Sequence, residues 1–214
     1  MNYILDIDGT LWDTTEIVAE AWNDATEEVG LGNSLGRFVT ADMLKKEFGK
    51  PMDVIIEDLY PGQDSETWDR LMVSIKRHEQ EQVGGCMQDL SYPGVISTLK
   101  KLAADNKLYI VSNCQDGYIP LVMDKLGITD LISDYESFGA SGLLKADNIR
   151  LVVQRNGLAP DETYYIGDTR GDYESATEAG VRFIYAAYGF GEEVPVPGYV
   201  GQSISSFDEL LKWG

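Results

Sequence analysis

Tyr3-Ile4-Leu5-Asp6-Ile7-Asp8-Gly9-Thr10 is the stretch that decides the fold. An apolar run ends there in two acidic residues one position apart, followed by a turn glycine. In an open α/β sheet the chemistry gathers where strands end and loops begin. Two carboxylates held that close raise one another's pKa unless a cation neutralises them. Hard oxygen donors of this kind suit Mg²⁺, which keeps several waters and takes only one or two protein carboxylates. The stretch therefore predicts a first strand that leads into a metal-assisted site.

Working outward, Ile17, Val18, Ala21, Trp22 and Val29 fall at helical spacing after Thr14 or Thr15, and Gly30 closes that helix. Further helices are expected at 41–48, 52–59 and 65–82, punctuated by Pro51, Pro61-Gly62 and Gly84-Gly85. No strand pattern is evident between Asp13 and Tyr92, so this region reads as a helical insertion. From Pro93 the rhythm changes to alternation. Strands are expected at 107–111, 163–166 and 182–186, with helices from Pro93, at 118–126, 148–155 and 173–179, and at 206–213. Alternating strands and helices imply a parallel sheet with right-handed crossovers. The fold class expected is α/β, a three-layer Rossmann-like parallel-sheet core with an inserted α-helical cap. Its boundaries are core at 1–13 and 87–214 and cap at 14–86.

Three strand ends carry polar residues: Asp6/Asp8, Ser112-Asn113, and Asp168 with Asp172. Parallel strands deliver their carboxyl ends to one edge of a sheet, so these residues converge although distant in sequence. Lys145 precedes the next helix and can reach the same edge. Other readings exist for single residues. Ser112 can simply cap a helix, and Asp172 can be an acidic residue in a first helical turn. A calcium loop counted from Asp6 needs glycine at its sixth place and glutamate at its twelfth; Leu11 and Ile17 stand there instead.

Asp6-Ile7-Asp8-Gly9-Thr10, Ser112-Asn113, Lys145 and Gly167-Asp168-Thr169-Arg170-Gly171-Asp172 resemble, in order and placement, the motifs of the haloacid dehalogenase superfamily in its phosphatase branch. The likeness spans nearly the whole chain, with one departure: proline usually follows the lysine, and Ala146 stands here. The resemblance implies that Asp6 attacks phosphorus, forming an aspartyl phosphate. Asp8 protonates the leaving alcohol and then activates water. Ser112 and Lys145 hold the transferred oxygens. Mg²⁺ is implied on the Asp6 carboxylate, the Asp8 main-chain carbonyl and Asp168, with Asp172 a further ligand or an orienting group. Thr10 positions Asp8 at the substrate side, where Asn113 also stands. The helical insertion resembles a small cap with hinges near 11–15 and 84–92, and Phe48-Gly49-Lys50-Pro51 resembles the cap loop of phosphoglycolate-phosphatase-like members. Lys50 reads equally as a substrate contact or as a solvated lysine at a turn.

Asp8 argues against dehalogenation, because a departing halide needs no proton. A phosphomutase of this kind places a histidine and a basic residue in the first cap helix, and 15–23 contain neither. A non-catalytic sensor of a phosphometabolite remains the reading from another class. A net charge of −19 argues against nucleic acid or an anionic membrane as partner. Only two cysteines and one histidine are present, without a metal-binding spacing, so zinc is not expected. Free thiols and the lack of room for a signal sequence before the first strand point to the cytoplasm. The expected partner is a small phosphorylated metabolite; nothing indicates oligomeric state.

Overall fold

A computed structural model describes residues 1–32, 38–191 and 195–212 of the chain. Six parallel strands form its sheet: β1 (Asn2–Leu5), β2 (Lys107–Ser112), β3 (Ile132–Ser137), β4 (Thr163–Gly167), β5 (Arg182–Ala186) and β6 (Gln202–Ile204). Their spatial order is β3-β2-β1-β4-β5-β6. The described helices are α1 (Thr15–Glu28), α2 (Ala41–Glu47), α3 (Met52–Leu59), α4 (Ser65–Gly85), α5 (Val95–Leu102), α6 (Tyr118–Leu126), α7 (Phe138–Ser141), α8 (Lys145–Arg155) and α9 (Arg170–Ala179).

The central strands are apolar on both faces because both are covered. Side chains alternate along a strand. Tyr3, Leu5, Leu108, Ile110 and Ile166 therefore pack on one side, in the same core as Leu99 of α5 and Val122 of α6. Ile4, Tyr109, Val111 and Tyr165 pack on the other, with Ile149 and Val152 of α8 and Ala176 of α9. The result is the three-layer α/β core with an inserted helical cap.

In the insertion, α1 buries Val18, Ala21, Trp22 and Ala25, spaced as one face of a helix, and packs against α4. Thr40 and Asp64 cap α2 and α4, their side chains accepting from the Met43 and Thr67 amides. The two connections to the core run side by side: Asp13 N donates to Leu90 O at 3.0 Å, and Tyr92 N donates to Leu11 O at 3.0 Å.

Two strands, β3 and β6, were not expected from the sequence. The β3 segment Ile-Ser-Asp-Tyr-Glu-Ser sits at a sheet edge and is only partly buried, so it lacks the apolar run of a central strand. β6 is three residues long at the opposite edge. α8 and α9 begin three residues earlier than expected, at Lys145 and Arg170. For α9 the reason is a capping box: Thr169 Oγ1 accepts from the Asp172 amide while the Asp172 carboxylate accepts from Thr169 N. The closing helix is a 3-10 segment, Phe207–Lys212; Trp213, which the sequence assigned to it, lies outside the described residues.

Ile166, fully buried in β4, and Val73, 68% exposed on α4, measure where stability resides. Ile166→Ala is expected to lower the unfolding free energy by about 2–5 kcal/mol, and Val73→Ala to change it by less than about 0.5 kcal/mol. Urea denaturation checks this; equal effects at the two positions would contradict the assignment of the core.

Candidate active site

The strand order reverses direction around β1, so a crevice opens beyond the carboxyl ends of β1 and its neighbours. Asp6 follows β1 directly, and its amide donates to Ile166 O at 2.9 Å, locking it beside the end of β4. Asp168 follows β4, and Ser112 ends β2. Lys145 opens α8, and Asp172 lies in the first turn of α9.

Lys145 Nζ donates to Asp6 Oδ1 at 3.1 Å and to Asp172 Oδ1 at 2.6 Å, and all three side chains are buried. One oxygen each from Asp6, Asp168 and Asp172 lies within 4.8 Å of the others. Asp6 and Asp172 thus share one lysine, with the Asp168 carboxylate beside them. Burial pushes the Asp6 carboxyl up, opposed by Lys145 and reinforced by Asp172 and Asp8. Burial also raises Asp168 well above the carboxylate range, with Asp172 and Asp6 adding to it. For Lys145 burial works against the charge, but Asp172 and Asp6 outweigh it and the pKa rises. The uncompensated negative charge and hard oxygen donors fit a divalent cation such as Mg²⁺.

Backbone close to Asp168 leaves no space for side chains. Gly9 has φ +82°, and a Cβ there would overlap the Asp168 carboxylate. A Cβ on Gly189 would overlap the same side chain. Phe190 N donates to Asp168 Oδ2 at 2.7 Å. Thr10 differs from expectation. Its hydroxyl, fully buried, donates to Asp168 Oδ1 at 3.1 Å and so holds that carboxylate instead of positioning Asp8 or facing a substrate. A side chain two residues from Asp8 points past it, because the chain folds back at Gly9.

Asp8 is held by three donors that the sequence reading missed: Trp12 Nε1 at 3.0 Å, Thr14 Oγ1 at 3.2 Å and Tyr118 OH at 3.0 Å, all on Oδ1. Thr14 occupies the N-cap position of α1 without capping it, since its hydroxyl is engaged here. Burial pushes the Asp8 carboxyl up to about 7, against the bond from Tyr118. The Asp8 carboxylate is absent from the oxygen cluster of Asp6, Asp168 and Asp172, leaving only its main chain for a cation there.

Above this floor, Asp6, Asp8, Ser112 and Asn113 from the core face Trp22, Gly49, Lys50 and Glu79 from the insertion, lining a partly open cavity of ≈ 50 Å³. Asn113 Nδ2 donates to Gly49 O at 2.7 Å, tying the 48–51 loop to the core. Lys50 lines the cavity, but its ammonium is engaged by Glu47 and Asp58. Glu79 also escaped the sequence reading, although a signal existed. It interrupts the i, i+4 stripe Leu71, Ile75, Val83 on the buried face of α4. Its carboxylate accepts from Trp22 Nε1 at 2.9 Å and Gln115 Nε2 at 3.1 Å. Burial pushes it up to about 7.

Residues 3–186 match the family model of the haloacid dehalogenase-like hydrolases. Phosphoglycolate phosphatase of Vibrio vulnificus is 27% identical over 219 residues, covering 96% of this chain and 93% of the relative. The Photobacterium profundum enzyme of the same name is 27% identical over 221 residues, covering 97% and 93%. Among solved structures, a haloacid dehalogenase-like family hydrolase from Streptococcus pneumoniae superposes with a TM-score of 0.83 at 21% identity, covering 99% of this chain and 97% of that one. A protein described as a predicted phosphoglycolate phosphatase from Haemophilus somnus gives 0.84 at 20% identity, covering 99% and 96%. The chain belongs to the haloacid dehalogenase-like hydrolase family.

Proposed function

We propose that this hydrolase is a Mg²⁺-dependent phosphatase of small phosphomonoesters that works through an aspartyl phosphate on Asp6. The observation that carries the reading is the buried group of Asp6, Asp168 and Asp172 around a single lysine. Asp6, the Asp8 main-chain carbonyl and Asp168 would hold the cation. Asp172 supports it from behind, since its oxygens are committed to Lys145 and Thr169. When bound, Mg²⁺ supplies a positive charge that draws electron density from the phosphoryl oxygens.

Asp6 attacks phosphorus, the P–O bond to the alcohol breaks, and the phosphoryl group passes to the carboxylate. Asp8 donates its proton to the departing alkoxide. Its Oδ1 is fixed by Trp12, Thr14 and Tyr118, which leaves Oδ2 to carry that proton. A carboxyl held near neutrality suits proton transfer in both directions, so Asp8 then takes a proton from the water that releases phosphate. Lys145 offsets charge on the transferred group, and Ser112 supplies a hydroxyl beside it. Ala146 in place of proline does not disturb Lys145, whose ammonium is directed by its two aspartates.

Residues 14–86 act as the cap and 1–13 with 87–214 as the core, the paired connections near Asp13 and Tyr92 serving as hinges. The cavity of ≈ 50 Å³ holds little more than a few waters. Such a cavity suits a small phosphorylated substrate held between cap and core. The compartment is the cytoplasm, in keeping with two cysteines that stay unpaired.

Asp6→Asn should abolish Mg²⁺-dependent phosphate release from an aryl phosphate. Asp8→Asn should lower turnover by roughly 10²–10⁴-fold while Mg²⁺ affinity, read by calorimetry, is kept. Parallel loss of metal binding and turnover in Asp8→Asn would contradict its role as acid and base. Lys145→Ala should depress kcat and raise KM together; unchanged kinetics would mean that another cation serves the phosphoryl group.

A further inference from the structure

Glu79 is a buried carboxylate that the phosphoryl transfer does not use. It sits on the cap side of the cavity, 6% exposed, at a position where the α4 stripe calls for an aliphatic residue. Burying a carboxylate is costly unless it is paired or does something. Trp22 and Gln115 supply one donor each, whereas an ionised carboxylate accepts about four. Among the described residues no cation forms an ion pair with it: Lys76, one turn away on α4, acts on it only through space, and Lys50 of the cavity wall is engaged by Glu47 and Asp58.

A second wall residue shows the same imbalance. Asn113 donates one amide hydrogen to Gly49 O, yet its Oδ1 is buried with no donor among the described residues. This side of the cavity thus offers acceptors in want of donors, and its lysine, Lys50, is already paired with two carboxylates. Such a surface discriminates strongly, because a ligand lacking the matching group leaves buried polar atoms unpaired. A second carboxylate placed there adds like-charge repulsion against Glu79.

Building on the phosphatase reading above, we propose that Glu79 is a specificity-determining residue that accepts hydrogen bonds from the leaving group. It selects phosphomonoesters whose alcohol carries a hydroxyl or ammonium group and turns away those that carry a carboxylate. The curated relatives bear the name of a carboxylate-bearing substrate; this chain's cavity is built for the opposite tip.

Three two-carbon phosphates isolate the tip at constant reach: ethanolamine phosphate, 2-hydroxyethyl phosphate and phosphoglycolate, with an aryl phosphate to report turnover itself. Wild type with Mg²⁺ should show kcat/KM for the ammonium or hydroxyl ester at least about tenfold above that for phosphoglycolate. Whichever of the two leads identifies the donor. Glu79→Gln keeps an acceptor for Trp22, and Gln115 can turn its amide to match. That variant should shrink the ratio to phosphoglycolate at least about tenfold, more for ammonium than for hydroxyl. A residue that merely pins α4 would slow all three esters alike and leave the ratio fixed. Hydrolysis of the aryl phosphate with phosphoglycolate preferred, with no order among the three esters, or with none of them turned over, overturns the role of Glu79 alone. Absence of hydrolysis of all four overturns the phosphatase reading and this inference with it. Should Glu79→Gln fail to fold by thermal unfolding, the wild-type order decides by itself.

Discussion

Three buried carboxylates around one ammonium form the constraint on which the rest of this structure depends. At an effective dielectric near 20, two unit charges 4 Å apart interact by about 4 kcal/mol. Removing each ion from water costs several kcal/mol. The pairs that Lys145 makes with Asp6 and Asp172 therefore roughly offset their own burial, and Asp168 is left in excess. Burial and mutual repulsion raise the carboxyl pKa values of Asp6 and Asp168, as that excess requires. A cation at the same place would favour the ionised forms of both. The sheet edge is left with buried negative charge that needs balancing.

The surrounding chain is shaped by that need. Gly9 and Gly189 lack side chains because Asp168 fills the space that a Cβ would take. Thr10 and the Phe190 amide then fix its two oxygens separately. Asp8, only two residues from Asp6, is drawn into a different hydrogen-bond set made by Trp12, Thr14 and Tyr118. This separation gives two neighbouring carboxylates different environments, which the proposed mechanism uses for different tasks. The helical insertion packs over both and brings Glu79 to the same cavity.

Much of this could be read in the sequence where the signal is local. The strands at 2–5, 107–112, 163–167 and 182–186 announce themselves as apolar runs bounded by polar residues, because both of their faces are covered. Asp6, Asp8, Ser112 and Asp168 follow from their places at strand ends. What escaped depends on contacts between distant segments. Tyr118 looks like an ordinary apolar position at the start of α6, and nothing nearby in sequence says that its hydroxyl meets Asp8, 110 residues away. The Phe190 amide carries no side-chain signature at all. Proximity along the chain points Thr10 toward Asp8, whereas the turn at Gly9 aims its hydroxyl at Asp168. The edge strands β3 and β6 are too polar or too short for periodicity to reveal.

Chemical trapping of the intermediate tests the central claim most directly. An acyl phosphate on a carboxylate is reduced by borohydride to an alcohol, which converts the modified aspartate to homoserine. During turnover of an aryl phosphate with Mg²⁺, peptide mass mapping should find that conversion at Asp6 and at no other aspartate. Conversion at a different residue, or turnover that leaves Asp6 unmodified under conditions that trap acyl phosphates, would contradict the account.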